Sequence, residues 1–381
     1  MKRQSGFTMV ELMVAITLSI IVTGALLSVF LSTNNSYRST SGSASYTDSG
    51  RIALDIIQQS VRSSGFMACS TVQRQITMLN PAGPSPLYRN IGASTPGNPA
   101  QPFPGAMFGY EAANTAPGNA LVLPARPVIA DGNAADWVGG LDAAIIASAG
   151  PPLKGSDVLV TNYALAQSQP VYLTNYTPGN SFMTVNSIGA LQAGQIATVS
   201  DCKGSISFQV VGVGGNVINF GGGLNNAGAL PYTPEPGSEV MPVGTKVYYV
   251  GVGADGDGAL FVYDTNGTAV FTAQELVPDV EAMQILYGID SVPATFTTSD
   301  YVTANNVTNG FVATLPGSAT WNNVLSVRIS LLAASPPGAV PLPAAAQTYN
   351  LLGTTVTAPI DTRSRQVFEL TVSARNAVTG N

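Results

Sequence analysis

The residues that usually carry catalysis are sparse in this chain. Among 381 residues there is no histidine, which removes the commonest general base and metal ligand. Serine is abundant, but no Gly-x-Ser-x-Gly elbow offers an activated nucleophile. Gly221-Gly222-Gly223, in NFGGGLNN, lacks the Gly-Lys-Ser/Thr ending of a phosphate loop and reads as a loop tip. Asp255 and Asp257 in GADGDG have the alternation of calcium ligands. An EF-hand loop needs more oxygens and a distant bidentate Glu, so a tight turn is the preferred reading. Glu275, Asp279 and Glu281 would be the candidates for paired acid–base work. Their setting is apolar and strand-like, so a solvated strand face, with 279 and 281 on one side, or a helix N-cap is expected instead. Cys69 and Cys202 are the two cysteines and make a poor zinc site without histidine. No catalytic residue, metal or cofactor is expected.

One charged residue stands in an unusual place. Lys2 and Arg3 open the chain, Gly6-Phe7 follows, and an apolar run extends from Phe7 to Leu31 with Glu11 inside it. A carboxylate at a bilayer centre costs roughly 2.5–3.5 kcal/mol, so Glu11 implies a need. The apolar run is long enough to span a hydrocarbon core of about 30 Å. Lys2 and Arg3 hold the leader on the cytoplasmic side. An ordinary secretory signal is cut after its apolar region; here the leader-like break at Gly6 precedes it. A cut there leaves the anchor on the mature chain and creates a new amino terminus at Phe7. Glu11 lies one helical turn on and can pair with that terminus or a neighbour's. The other reading is an uncut signal anchor.

Charged residues make up 9% of the chain, against about 25% in ordinary soluble domains. With 40 Gly and 26 Pro and a formal charge of −6, the composition is that of an extracytoplasmic, loop-rich β protein. The arginines at 74, 89 and 126 are scattered, so no nucleic-acid footprint is evident. In an oxidising compartment Cys69 and Cys202 join as a disulfide. That closes a loop of about 130 residues, worth roughly 4–5 kcal/mol; the alternative is two unpaired buried thiols.

The first proline is Pro81, which permits one long helix before it. Ala53, Ile56, Ile57 and Val61 share a helical face. Ser32–Gly50 is rich in Ser, Thr, Asn and Gly and is a poor helix former. A helix from Phe7 to about Ser64 is expected, with a kink or melted turn near 40–50. Residues 80–155 read as an irregular surface insertion with short strands such as Ala120–Leu123, and Trp137 in it as a satellite-core or partner contact. From Asp157 onward, β-branched and aromatic runs bounded by Gly, Asn and Pro indicate strands, and Asn266-Gly267 signals a hairpin. VEAMQILYGID, VLSVRISLLAAS and QVFELTVSARN read as central strands of a C-terminal sheet, with Trp321 anchoring its core and 335–347 as a loop.

The leader, with GFTMVE before the apolar run, resembles the class III signal of type IV pilins and pseudopilins. Further pieces resemble the PilW family of type IV minor pilins. They are SGFMAC at 64–69, GSDVLVTNYA at 155–164, SDCKG at 200–204, ELVPDVEAMQILYGID at 275–290, WNNVLSVRISLLAAS at 321–335 and RQVFELTVSARN at 365–376. Residues 80–155 match nothing in that family pattern.

The resemblance implies an α+β pilin fold, a long N-terminal helix on an antiparallel β head enlarged by a second sheet or lobe. Residues 1–6 are then the leader, 7–31 the transmembrane and filament-core half of the helix, 32–68 its amphipathic half and 69–381 the head. It implies cleavage between Gly6 and Phe7 by a prepilin peptidase, methylation of the Phe7 amine, and an assembly role for Glu11. The implied partners are other minor pilins, the major pilin, a large tip adhesin and the inner membrane, with the chain moving from that membrane to a surface pilus tip. A large minor pseudopilin of type II secretion and a membrane-anchored adhesin are the rival readings.

Overall fold

The computed structural model describes residues 8–66, 68, 75–77, 106–125, 132–141, 143–165, 167–223, 225, 228–265, 272–290, 297–309, 321, 324–374 and 376. A single helix, α1 (Met9–Ser63), runs 55 residues without interruption, about 80 Å at 1.5 Å per residue. Its residues up to 41 are exposed, apart from a half-buried Asn34. The most apolar 18-residue window there has a mean hydropathy of 2.5 and is 0% buried. Burial begins at Gly42 and continues through Ser49, Gly50, Ala53, Leu54, Ile57, Ser60 and Val61, the face that helical spacing predicts.

The kink expected near 40–50 is absent. A Cβ on Gly42 would lie 2.6 Å from Ala339 Cβ, and one on Gly50 would lie 2.3 Å from the Phe368 ring. These glycines are close-approach points against the head. Packing offsets their low helix propensity.

The head follows in chain order. The first strands are β1 (Gln75–Thr77), β2 (Met107–Tyr110) and β3 (Ala120–Val122); the short helix α2 (Ala143–Ile146) precedes β4 (Val158–Ala164). Next come β5 (Val171–Asn175), β6 (Phe182–Val185), β7 (Ile196–Ser200), β8 (Ser205–Gln209), β9 (Gly212–Gly214) and β10 (Val217–Asn219). The long strand β11 (Glu239–Val252) leads to β12 (Gly258–Asp264), β13 (Thr272–Pro278), β14 (Val280–Ile289) and β15 (Asp300–Val302). Helix α3 (Ala304–Asn309), β16 (Val324–Ala334), β17 (Thr348–Leu351), β18 (Thr354–Thr357) and β19 (Arg365–Ser373) complete it.

Among the described residues three sheets result, of 12, four and three strands. Strand β11 is the spine of the largest. Its first part pairs with β5 and β7, its second with β4 and β12. Pro242 sits where the partners change, a place where a missing N–H is tolerated. The strands beyond this point enclose a separate core of Val171, Met183, Ile206, Phe208, Ile218 and neighbours. This is the expected second lobe, joined through the sheet rather than by a linker. The four-stranded sheet has the order β15-β14-β16-β19, so β14 and β16 are central as expected and β19 is an edge. Helix α1 lies on β19 and β16.

The described parts of residues 80–155 are not confined to the surface. All four residues of β2 are buried, and Trp137 is 1% exposed in the principal core. A four-residue strand between Pro/Gly clusters carries too little periodicity to be recognised. Ala120–Val122 does form a strand, pairing parallel with β18. Trp321 lies in the main core, edge-on to Tyr287 at 4.8 Å between ring centroids. β12 and β13 pair as a hairpin; Asn266-Gly267 between them lies outside the described residues.

Asp279 is the one residue between β13, in the large sheet, and β14, in the four-stranded sheet. Its φ of +60° breaks the strand period, so 279 and 281 do not share a solvated face. Both carboxylates are buried and paired with arginine. Arg363 Nη1 donates to Asp279 at 3.1 Å and Nη2 to Asp257; Arg365 Nε donates to Glu281 at 2.7 Å and Nη1 to Asp361 at 2.8 Å. Burial keeps the Asp279 carboxyl above its ordinary range even with the Arg363 guanidinium beside it.

Two outcomes follow. Gly50→Val should destabilise the full-length protein by about 1–3 kcal/mol through overpacking, whereas Gly24→Ala, whose Cβ meets nothing within 4 Å, should leave head stability unchanged. Equal denaturant midpoints for the two variants would contradict the close-approach account. Arg363→Met strands two buried carboxylates and should cost about 3–5 kcal/mol; a loss under about 1 kcal/mol in the same melts would show the pairing to be dispensable.

Candidate functional site

The residues with positional meaning lie at the start of α1 and where its far end meets the head. At the start, Thr8 caps the helix and Glu11 completes a capping box. Glu11 Oε2 accepts from the Thr8 backbone N–H at 3.0 Å and from Thr8 Oγ1 at 2.8 Å; Thr8 Oγ1 accepts from the Glu11 N–H at 3.3 Å. The carboxylate therefore faces the positive end of the helix dipole. The pairing expected with a Phe7 terminus falls on Gly6 and Phe7, which lie outside the described residues. The capping box was legible as Thr-x-x-Glu at 8–11, and it gives Glu11 a partner inside its own chain. Glu11 nonetheless stays solvent-exposed, on a stretch that the head does not cover.

At the other end, Ser60 Oγ and Thr161 Oγ1 hydrogen-bond at 2.8 Å. The Gly65 N–H donates to the Asn162 carbonyl at 3.0 Å. Asn376 Nδ2 donates to the Ser64 carbonyl at 2.8 Å, tying the C-terminal segment to the last turn of α1. The segment Gly155-Ser156-Asp157 then joins the sheets. The Asp157 N–H donates to the Met283 carbonyl at 2.9 Å, Gln284 Nε2 donates to the Gly155 carbonyl at 2.8 Å, and Trp137 Nε1 donates to the Ser156 carbonyl at 2.9 Å. The stretch GSDVLVTNYA thus bonds the helix end through Thr161 and Asn162 and MQILYGID through Gly155 and Asp157, while the closing Asn376 bonds the same helix end. Sequence reading picks these stretches out as family-like, but no local signal shows that they pack on one another.

The chemistry-bearing candidates resolve into structural roles. Asp255, Asp257 and Asp279 have carboxylate oxygens within 4.8 Å of one another. The Arg363 guanidinium pairs with two of them, supplying the positive charge a cation would bring. Asp255 Oδ1 accepts from the Asp257 N–H at 2.9 Å, the turn geometry expected of GADGDG. The Glu275 carboxylate accepts from the Ala254 N–H at 2.9 Å. Gly222 and Gly223 have φ of +93° and +62°, as a loop tip requires. Cys202 lies in the turn between β7 and β8, and Cys69 lies outside the described residues.

The ends of the chain match two family models. Residues 247–376 match the family described as Type IV Pilus-assembly protein W, and residues 1–27 match the Prokaryotic N-terminal methylation motif. No curated protein and no solved structure matches the chain. The first match covers β14, β16 and β19, the sheet on which α1 lies, and ends at Asn376, which bonds the end of that helix. By these two matches and its helix-on-sheet architecture, the chain is similar to PilW-family type IV pilins, and its apolar N-terminal helix with a methylation motif fits a membrane-anchored pilin.

Proposed function

We propose that this chain is a minor pilin that joins other minor pilins in a priming complex, starts assembly of the pilus and remains at its tip. The observation that carries this reading is the division of α1. The helix from Met9 to Leu31 is apolar and has no cover from the described rest of the chain, and an uncovered apolar stretch of that length needs lipid first and other subunits' helices later. The head, held to about the last two fifths of the helix, remains free to meet partner heads and to present a large adhesin. Prepilin peptidase cuts between Gly6 and Phe7, and the Phe7 amine is then methylated. In the membrane the Glu11 carboxylate is held by Thr8; on docking it exchanges that cap for a subunit terminus, which sets axial register.

The same reading includes a Cys69–Cys202 disulfide. Supporting it, β1 runs parallel to β8 with Gln75 opposite Ser205. The chain therefore passes shortly after Cys69 alongside the chain shortly after Cys202.

Glu11→Ala should leave the head's melting behaviour unchanged, and the variant should be cut to a mature terminus at Phe7. It should be lost from sheared pili by about tenfold or more. Wild-type incorporation of the variant would remove Glu11 from the mechanism. Non-reducing peptide mapping should return one peptide joined through Cys69 and Cys202; two alkylatable thiols in the exported protein would reject the disulfide.

A further inference from the structure

Three buried polar side-chain atoms around one point of the main core have no hydrogen-bond partner: Glu111 Oε2, Tyr287 OH and Trp321 Nε1. Their residues are 4%, 1% and 8% exposed. Glu111 follows β2, in the position opposite Asp157, because Tyr110 pairs with Val158 in an antiparallel ladder. Gly109, two residues back and on the same face, leaves room for Tyr287; a Cβ there would lie 1.9 Å from its hydroxyl. Tyr287 is edge-on to Trp321. The Asp157 carboxylate accepts from the Ala112 N–H and the Ile285 N–H, each at 2.8 Å, and so bridges the large sheet to β14. The Glu111 carboxyl accepts from the Ala304 N–H at the start of α3. Two carboxyls therefore face one another inside the core, and among the described residues the groups that act on them most are these backbone N–H donors, with the neutral Tyr287 alongside.

We infer that Glu111 and Asp157 form a structural proton site, in which one proton shared inside the core lets Asp157 bridge the sheets and makes the joint sensitive to alkaline pH. Two adjacent buried carboxylates cannot both ionise without a compensating charge. A proton on Glu111 also turns the orphaned Oε2 from an acceptor without a donor into a donor itself. Consistent with this, burial first and the Asp157 charge second push the Glu111 carboxyl far above its ordinary range, and burial pushes Asp157 up as well. In the unfolded chain both groups lose their protons near about pH 4. From there up to the raised folded values the folded state binds more protons, so stability falls as pH rises.

The test is thermal and denaturant unfolding of the full-length protein in detergent between about pH 6 and 9, for wild type and Glu111→Gln. For wild type the folding equilibrium constant should fall by up to about tenfold per pH unit over part of that range, the slope of one bound proton. Glu111→Gln keeps a neutral donor in place and should lose the part of that slope above about pH 7, where Glu111 rather than Asp157 is the group still holding its proton. Equal slopes in the two proteins, or none in wild type, would overturn the inference. If Glu111→Gln does not fold, infrared spectroscopy of wild type decides. A protonated buried carboxylic acid band at neutral pH supports the site, and its absence rejects it.

Discussion

Everything in this molecule is arranged around a helix that the chain can cover over only part of its length. The head grips α1 from Gly42 to Ser64 and leaves the preceding apolar stretch bare. Apolar surface of that extent is strongly unfavourable in water, and under the proposed function lipid and then neighbouring helices complete what the fold leaves open. The grip is close because two glycines remove their side chains where Ala339 and Phe368 press in. It is directional because Asn376, Asn162 and Thr161 take up hydrogen-bonding groups at the helix end. A rigid handle and a free head follow from the same packing.

The head has to behave as one body to transmit anything through that handle, and its layers are joined at a few points. Strand β11 carries hydrogen bonding from the main part into the outer lobe. Asp279 passes the chain from the large sheet to the four-stranded sheet in a single residue. The Ser156-Asp157 segment ties those sheets a second time. Each junction places polar or charged groups where water is scarce, and each supplies them with a partner: Arg363 for Asp279 and Asp257, Arg365 for Glu281, backbone N–H groups for Asp157. The pairs add little stability against an apolar alternative, but breaking one leaves a buried charge behind. They therefore specify how the layers meet.

Much of this was legible in the sequence where the signal is local and long. Absence of proline before Pro81, the stripe at 53, 56, 57 and 61, and the β-branched runs that became β4, β11, β14, β16 and β19 indicate both elements and class. The failures share a cause. Gly42 and Gly50 read as helix breakers because their partners lie about 300 residues away. Asp279 and Glu281 read as one solvated face because period-2 reasoning assumes an unbroken strand, and the positive φ at Asp279 breaks it. β2 read as part of a surface insertion because a four-residue strand has almost no period, and Trp137, read as a satellite-core or partner contact, lies in the principal core. The Glu11 cap was readable and shows a carboxylate can have a role within its own helix before any neighbour arrives. The carboxylates at 257, 279 and 281 proved to be buried partners of arginine.

The most direct measurement is surface pilus yield, by shearing cells and quantifying the major pilin, in a strain lacking this gene. A priming minor pilin predicts strong loss of sheared pili with the major pilin retained in the membrane, restored by the wild-type gene. Normal pilus yield without the gene would contradict that role and turn attention to a filament that serves protein secretion.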